Sequence, residues 1–254
     1  MNLNEMFNFE SREHKIEELL KIHEQFENFF EDAVKETIIN IEKTSEEAIT
    51  KSNKISSELT EGKTTSIHVD LELYDEAMEY EYKAYLNNFK LEALSEMKIV
   101  YLFKSLEISM KVLINRAYPN INTKSFYRWD RIMSFFKSRG IKISEITGYQ
   151  EVNQLRKVNN NIKHSQEIND EVKKIVEFNE QEYFKVENLT IFYERVKNKV
   201  KDFQKELAKS VVNDLYEFEI ERLTELVNSY SKRMKTDTLK EFKELIEKKL
   251  KEVE

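Results

Sequence analysis

The sequence predicts an all-α protein, and three observations carry that reading. Its 254 residues include three glycines and one proline, too few turn formers for a many-stranded β fold. The composition is rich in Glu, Lys, Leu and Ile, a mixture suited to long helices. Through most of the chain, apolar residues recur at three- and four-residue steps, the period of one helix face. Hydrophobic residues make up 40% and charged residues 35%, so core material is present but diluted by charge. The length admits one large domain or two small ones.

Composition also excludes several function classes. There is no cysteine, which rules out disulfide frameworks and thiolate metal sites and fits a reducing compartment. The start, MNLNEMFNFESREHK, lacks the apolar run of a signal peptide. No stretch of about 18 apolar residues is present to span a bilayer. The expectation is a cytoplasmic protein with no membrane partner. The sequence has no P-loop, no dinucleotide-binding glycine fingerprint, no HExxH and no Gly-x-Ser-x-Gly elbow. Four scattered histidines give no metal cluster. No cofactor and no metal are expected.

In chain order, residues 1 to 10 read as a loose lead-in. Glu13 to about Leu59 reads as one long helix. Ile16, Leu19, Leu20, His23, Phe26, Phe30, Ala33, Val34, Ile38 and Ile41 share a face, which thins beyond Lys43 to Ala48, Ile49, Ile55 and Leu59. TEGKTTS, Thr60 to Ser66, is a break, with Gly62 as helix stop. Ile67 to Leu73 alternates apolar and polar residues. It is either a short extended segment or, with Asp70 as cap, the start of the next helix.

Glu72 to Asn88 carries Tyr74, Tyr80, Tyr82 and Tyr85. Tyrosines can stack on bases, but the carboxylates around them favour the semi-polar side of a packed helix. Phe89 to Ala117 is the most apolar segment, and its apolar residues surround the helix, the mark of a buried central element. Pro119 ends it. Ser125 opens a helix over FYRWDRIMSFFK that stops at Gly140. In it Trp129 and Phe136 pack inward while Arg128 and Arg131 stay wet, a better reading than a single-strand binding face.

Ile141 to Gly148 is a connector. After a further break at SQEIND, Glu171 to Val176 reads as a short helix. Glu180 to about Val212 reads as a long one through Phe184, Leu189, Phe192, Val196, Val200, Phe203 and Leu207. Two amphipathic helices follow, Leu215 to Tyr230 and Leu239 to Val253. The last has Leu239, Phe242, Ile246, Leu250 and Val253 on a coiled-coil-like seam, able to pack on the N-terminal helix or on a second copy. The chain divides into an N-terminal long helix or hairpin (1–66), a helical bundle (67–212) and a C-terminal helical extension (213–254).

Net charge is −7 and unevenly spread. Lys111 to His164 holds eleven Lys and Arg against three Asp and Glu, a net of +8, so the rest carries −15. The segment is either a phosphate-facing patch or the basic partner of the acidic helices on either side.

Within it lies QLRKVNNNIKH, Gln154 to His164. On a helix at about 100° per residue, Val152, Leu155, Val158 and Ile162 form an apolar stripe. Arg156, Asn160 and His164 sit at i, i+4 and i+8 and line one side with Asn153. His164 points away from the stripe. Asn159 sits at the edge of the apolar arc, where an amide needs hydrogen-bond partners.

This stretch resembles the signature of the HEPN superfamily of helical bundles, Arg-Asn-x-x-x-His preceded by Leu-Arg. Asn160 and His164 match its Asn and His, and Leu155 and Arg156 match the preceding pair. Asn159 stands where the catalytic Arg usually sits. The resemblance extends over Glu72 to Lys209. SLEISMKVLI, Ser105 to Ile114, resembles the family's first long helix, and Glu107 there is a candidate partner for Arg156.

The resemblance implies an RNA-directed module of a bacterial toxin–antitoxin or phage-defence system. It further implies a homodimer whose two motifs face each other, a metal-independent ribonuclease activity or its loss with retained binding, and a partner or antitoxin protein. His164 is then the proton-transfer residue, Arg156 the phosphate ligand and Asn160 the residue orienting the site. Lys157, Lys163 and Asn159 are the RNA-binding candidates. The alternative is a non-catalytic helical interaction or scaffold protein acting through oligomerisation or a partner. A purely coiled-coil scaffold is a third reading.

Overall fold

The computed structural model describes residues 12–26, 29–60, 67–121 and 126–253. Among them the chain forms α-helices joined by short 3-10 turns and no strand. The sole ladder contact described is one antiparallel bridge between Glu167 and Tyr183. The expected lead-in over residues 1–10, the stop at Gly62 and the helix opening at Ser125 lie outside the described residues. The chain divides into two compact units, Met1–Val211 and Val212–Glu254. The helices before Ile67 thus fall in the same unit as the chain from Ile67 to Val211. No helix among the described residues is long and apolar enough to cross a membrane.

In the first unit, α1 (Arg12–Lys21) tightens into a 3-10 turn over Ile22–Phe26, and α2 (Phe29–Thr60) follows. The single helix expected from Glu13 to Leu59 is therefore broken. Side chains take carbonyls at the break, as a helix end requires. His23 Nδ1 bonds the Leu20 carbonyl at 2.9 Å, and the Ser105 hydroxyl donates to the Phe26 carbonyl. Leu19 and Ile22 are buried there.

The next helix, α3 (Ile67–Ala117), is continuous over 51 residues. Ile67–Leu73 is helical, not extended. Helices α2 and α3 pair antiparallel. Phe30 stacks on Tyr101 at 4.5 Å, Asn87 Nδ2 donates to Thr44 Oγ1 at 3.1 Å, and the Ser52 hydroxyl donates to Glu81 at 3.2 Å. The C-terminal half of α3 carries the core, with Ile99, Leu106, Met110 and Ile114 inaccessible.

Its N-terminal half differs from expectation. Leu71, Tyr74, Met78, Tyr82, Tyr85 and Phe89 form an exposed stripe, so three of the four tyrosines read as packed are open to solvent. Tyr80 alone is half-buried, beneath the Lys51 ammonium at 5.2 Å. A stripe in period with the packed face is indistinguishable in sequence from core when no neighbour covers it.

Helix α4 (Trp129–Ser138) buries Ile132 and Phe136. Trp129 sits 5.6 Å from Phe103, half-buried, with Arg128 and Arg131 exposed. Helix α5 (Tyr149–His164) follows a 3-10 turn over Ile143–Glu145. Then come short α6 (Asp170–Lys173), a 3-10 turn over Val176–Phe178, and α7 (Val186–Tyr216). The Arg195 guanidinium grips the buried Glu177 carboxylate through two bonds, 2.6 and 3.1 Å, and ties the 3-10 turn to α7. Glu31 on α2 accepts from the Tyr193 hydroxyl at 2.8 Å and Lys197 at 3.2 Å, with Lys98 at 3.7 Å. Burial raises the Glu31 carboxyl, but these donors outweigh it and hold it below the usual range. Glu31, Tyr193 and Lys197 line a cavity of about 700 Å³ with Gln204 and Ser105.

The second unit holds α8 (Ile220–Ser231) and α9 (Thr236–Val253). Arg222 closes the end of α7 by donating to the carbonyls of Asn213 at 3.1 Å and Glu217 at 3.0 Å, and to that of Asp214.

Candidate functional site

Helix α5 is fixed at both ends. It starts at Gly148, whose φ is 85° and whose α-carbon lies so close to α7 that a Cβ would stand 2.3 Å from the Lys199 carbonyl oxygen. Only glycine meets both conditions. It ends at Ser165 in extended backbone, with Lys163 and His164 in the last turn, where positive charge suits the exposed carbonyls. Val152, Leu155 and Val158 are fully buried, as their stripe predicts.

The three consecutive asparagines have three different environments. Asn159 is 0% exposed; its Nδ2 donates to Asn160 Oδ1 at 3.2 Å, while its own Oδ1 accepts from no described residue. The half-buried position expected for it is thus a core position. Asn160 is exposed. Asn161 is buried, donating to the Glu167 carbonyl at 2.9 Å and accepting from the Asn169 N–H at 2.8 Å. Asn161 fixes the loop that turns back after α5, and nothing in its residue type or spacing singled it out.

His164 is exposed and lines a groove of about 730 Å³. Its walls are Lys163, Ser165 and Gln166 at the end of α5, Phe89, Glu92 and Glu96 on α3, and Tyr183 on the returning loop. Burial pushes the Glu92 carboxyl up. Burial and the charge of Glu92 push Glu96 up. Neither carboxylate has an ion-pair partner among the described residues. Sequence reasoning missed both, because carboxylates at helical spacing are too abundant in this chain to stand out.

The remaining motif residues lie outside the groove. Arg156 is half-buried and donates twice to Asn153 Oδ1, from Nε at 3.3 Å and Nη2 at 3.1 Å. No ion pair joins it to Glu107 among the described residues. Lys157 pairs with Glu171 at 2.7 Å. Hydrogen bonds from Lys157 and Lys174 hold the Glu171 carboxyl down at about 2. Structure therefore brings His164 and Lys163 together with Glu92 and Glu96, and leaves Arg156 and Asn160 further up the same helix.

The basic segment divides between its two readings. Arg116 pairs with Glu18 and Lys157 with Glu171, on the acidic elements either side. Lys111, Arg131, Lys137 and Lys163 carry no ion pair among the described residues. Nor does any group of three or more His, Asp or Glu there have the arrangement of a metal site.

Compared with family models, curated proteins and solved structures, the chain matches none.

Proposed function

We propose that this chain is an RNA-directed helical module of the HEPN type, with its reactive centre in the groove at the end of α5. The observation that carries the reading is the placement of His164, solvent-accessible on the wall of a groove that also holds Lys163 and two carboxyls raised by burial. An imidazole on the accessible wall of a groove can accept the proton of a bound hydroxyl.

In RNA the 2′-hydroxyl is the nucleophile. His164 removes its proton as the 2′-oxygen bonds to phosphorus. The bond from phosphorus to the 5′-oxygen breaks and leaves a 2′,3′-cyclic phosphate. A carboxyl of the same groove, Glu96, whose pKa burial raises, is the candidate donor of the proton that the departing 5′-oxygen takes up. Lys163 offsets charge on the phosphate. Arg156, further up the same helix, is the phosphate ligand in this reading once its guanidinium leaves Asn153. By the same resemblance the module acts as a homodimer in a bacterial toxin–antitoxin or phage-defence system.

A second reading has its own support. Arg156 is already bonded to Asn153, and the slot of the family's catalytic Arg is the core residue Asn159. Both fit a non-catalytic module that binds a partner. One experiment separates the two: incubation of total RNA and tRNA with the purified protein and a chelator, beside His164→Ala and Glu96→Gln. Cleavage that survives chelator, disappears in His164→Ala and slows in Glu96→Gln supports the nuclease. Absent cleavage by a folded wild-type protein moves the function to binding.

A further inference from the structure

The hairpin of α8 and α9 leaves more apolar surface than its own pairing can cover. On α8, Ile220, Leu223, Leu226, Val227 and Tyr230 fall within an arc of about 120°, and on α9 Leu239, Phe242, Leu245, Ile246 and Leu250 within about 140°. The two helices meet where Tyr230 stacks on Phe242 at 5.8 Å, yet α8 has no buried residue. Val227 is 65%, Leu245 62% and Leu250 59% exposed. Between the helices runs a groove of about 610 Å³ whose open lining is mainly apolar, with Lys240, Lys243 and Glu247 beside the apolar side chains. Nine of these ten residues are between 38% and 72% exposed, which leaves apolar surface on the order of the ~800 Å² per partner of a specific interface.

Charge selects the occupant. On α9, Thr236–Glu247 holds four acidic and two basic residues, and Lys248–Val253 three basic and one acidic. Two α9 helices laid antiparallel put the acidic half of each against the basic half of the other, whereas a parallel pair opposes like charges. The surface is its own complement under a two-fold axis, the condition for a symmetric dimer. The exposed stripe on α3 fails this test, because Asp70 to Glu81 holds six carboxylates and no Lys or Arg, so two copies of it repel.

We infer that the α8–α9 hairpins of two copies of this chain join into a four-helix bundle, with the two α9 helices antiparallel. The inference is independent of whether α5 acts on RNA.

Sedimentation equilibrium of the full chain tests it, beside two variants altered at exposed polar positions: K248E/K249E/K251E and E241K/E244K/E247K. The wild type sediments as a dimer at micromolar concentration, each variant associates at least about tenfold more weakly, and an equimolar mixture of the two regains the dimer. The absence of cysteine makes orientation readable from single substitutions. Leu245→Cys, at the middle of α9, forms a disulfide with its own mate, and Thr238→Cys, near one end, does not, since a disulfide needs Cα atoms within about 7 Å. A wild type that stays monomeric at about 100 µM, a dimer that both variants leave untouched, or a Thr238→Cys dimer that crosslinks as well as Leu245→Cys would each overturn the proposal.

Discussion

The side chain of Asn161 holds the backbone of Asn169: the Asn169 N–H donates to Asn161 Oδ1 at 2.8 Å while Asn161 Nδ2 donates to the Glu167 carbonyl at 2.9 Å. One buried amide thereby spends both of its functions on the loop that forms one wall of the His164 groove. Asn169 in turn caps α6 by accepting from the N–H groups of Glu171 and Val172, both at 3.0 Å. Asn161→Ala removes two hydrogen bonds and strands the Asn169 N–H, while the Glu167 carbonyl keeps the Ser165 hydroxyl at 2.8 Å, so it is expected to cost about 2 kcal/mol. Asn160→Ala next to it, at an exposed position, removes only the acceptor of the buried Asn159 amide and is expected to cost about 1 kcal/mol. Urea denaturation of both variants checks the contrast.

Gly148 and Gly140 both have positive φ, 85° and 78°, but only one is crowded. A Cβ at Gly140 meets nothing within 4 Å, so Gly140→Ala carries the left-handed penalty alone, about 1–2 kcal/mol. At Gly148 the same methyl runs into the Lys199 carbonyl, and backbone must move. Gly148→Ala is expected to lose about 3 kcal/mol or more and to displace the start of α5. Thermal unfolding ranks the two, and equal losses would disprove the close approach of α5 to α7.

These elements show what was legible in the sequence. The span of α5 and the burial of Val152, Leu155 and Val158 follow from apolar period, as do the long helices. The 3-10 break after Lys21 does not, because Leu19, Leu20, His23 and Phe26 keep the period across it. Exposure of Tyr74, Tyr82 and Tyr85 was hidden for a related reason: periodicity reports which residues share a face, not whether anything covers it. Of the candidate site, His164 and Lys163 could be named in advance. Glu92 and Glu96 could not, since they come from a helix about seventy residues away in sequence and only packing sets them in the groove.

Glu96 makes stability depend on pH in the direction opposite to most carboxylates. Burial, with the charge of Glu92, raises its pKa in the folded state above 4.5. Its favourable contribution is complete below 4.5 and is lost as pH rises through the raised value. Glu96→Gln is therefore expected to unfold at higher urea than the wild type at about pH 7, and at the same urea at about pH 4. A variant less stable than the wild type at neutral pH would mean that the carboxylate is held by a favourable partner.

Asn159 gives the sharpest test of how far the resemblance governs this chain. It occupies the slot where the family's catalytic Arg usually sits, yet it is 0% exposed and its Oδ1 accepts from no described residue. Leucine has the same branching and removes that acceptor but is bulkier in a closed core, so Asn159→Leu is expected to stay within about 1 kcal/mol of the wild type. Asn159→Arg places an unpaired guanidinium in the core and is expected to lose about 3 kcal/mol or more. If Asn159→Arg instead folds as well as the wild type and gains RNA cleavage, then the helix presents that slot to solvent, and α5 works with the family's usual pair of residues. Stability and cleavage measured on the same preparations decide between these outcomes.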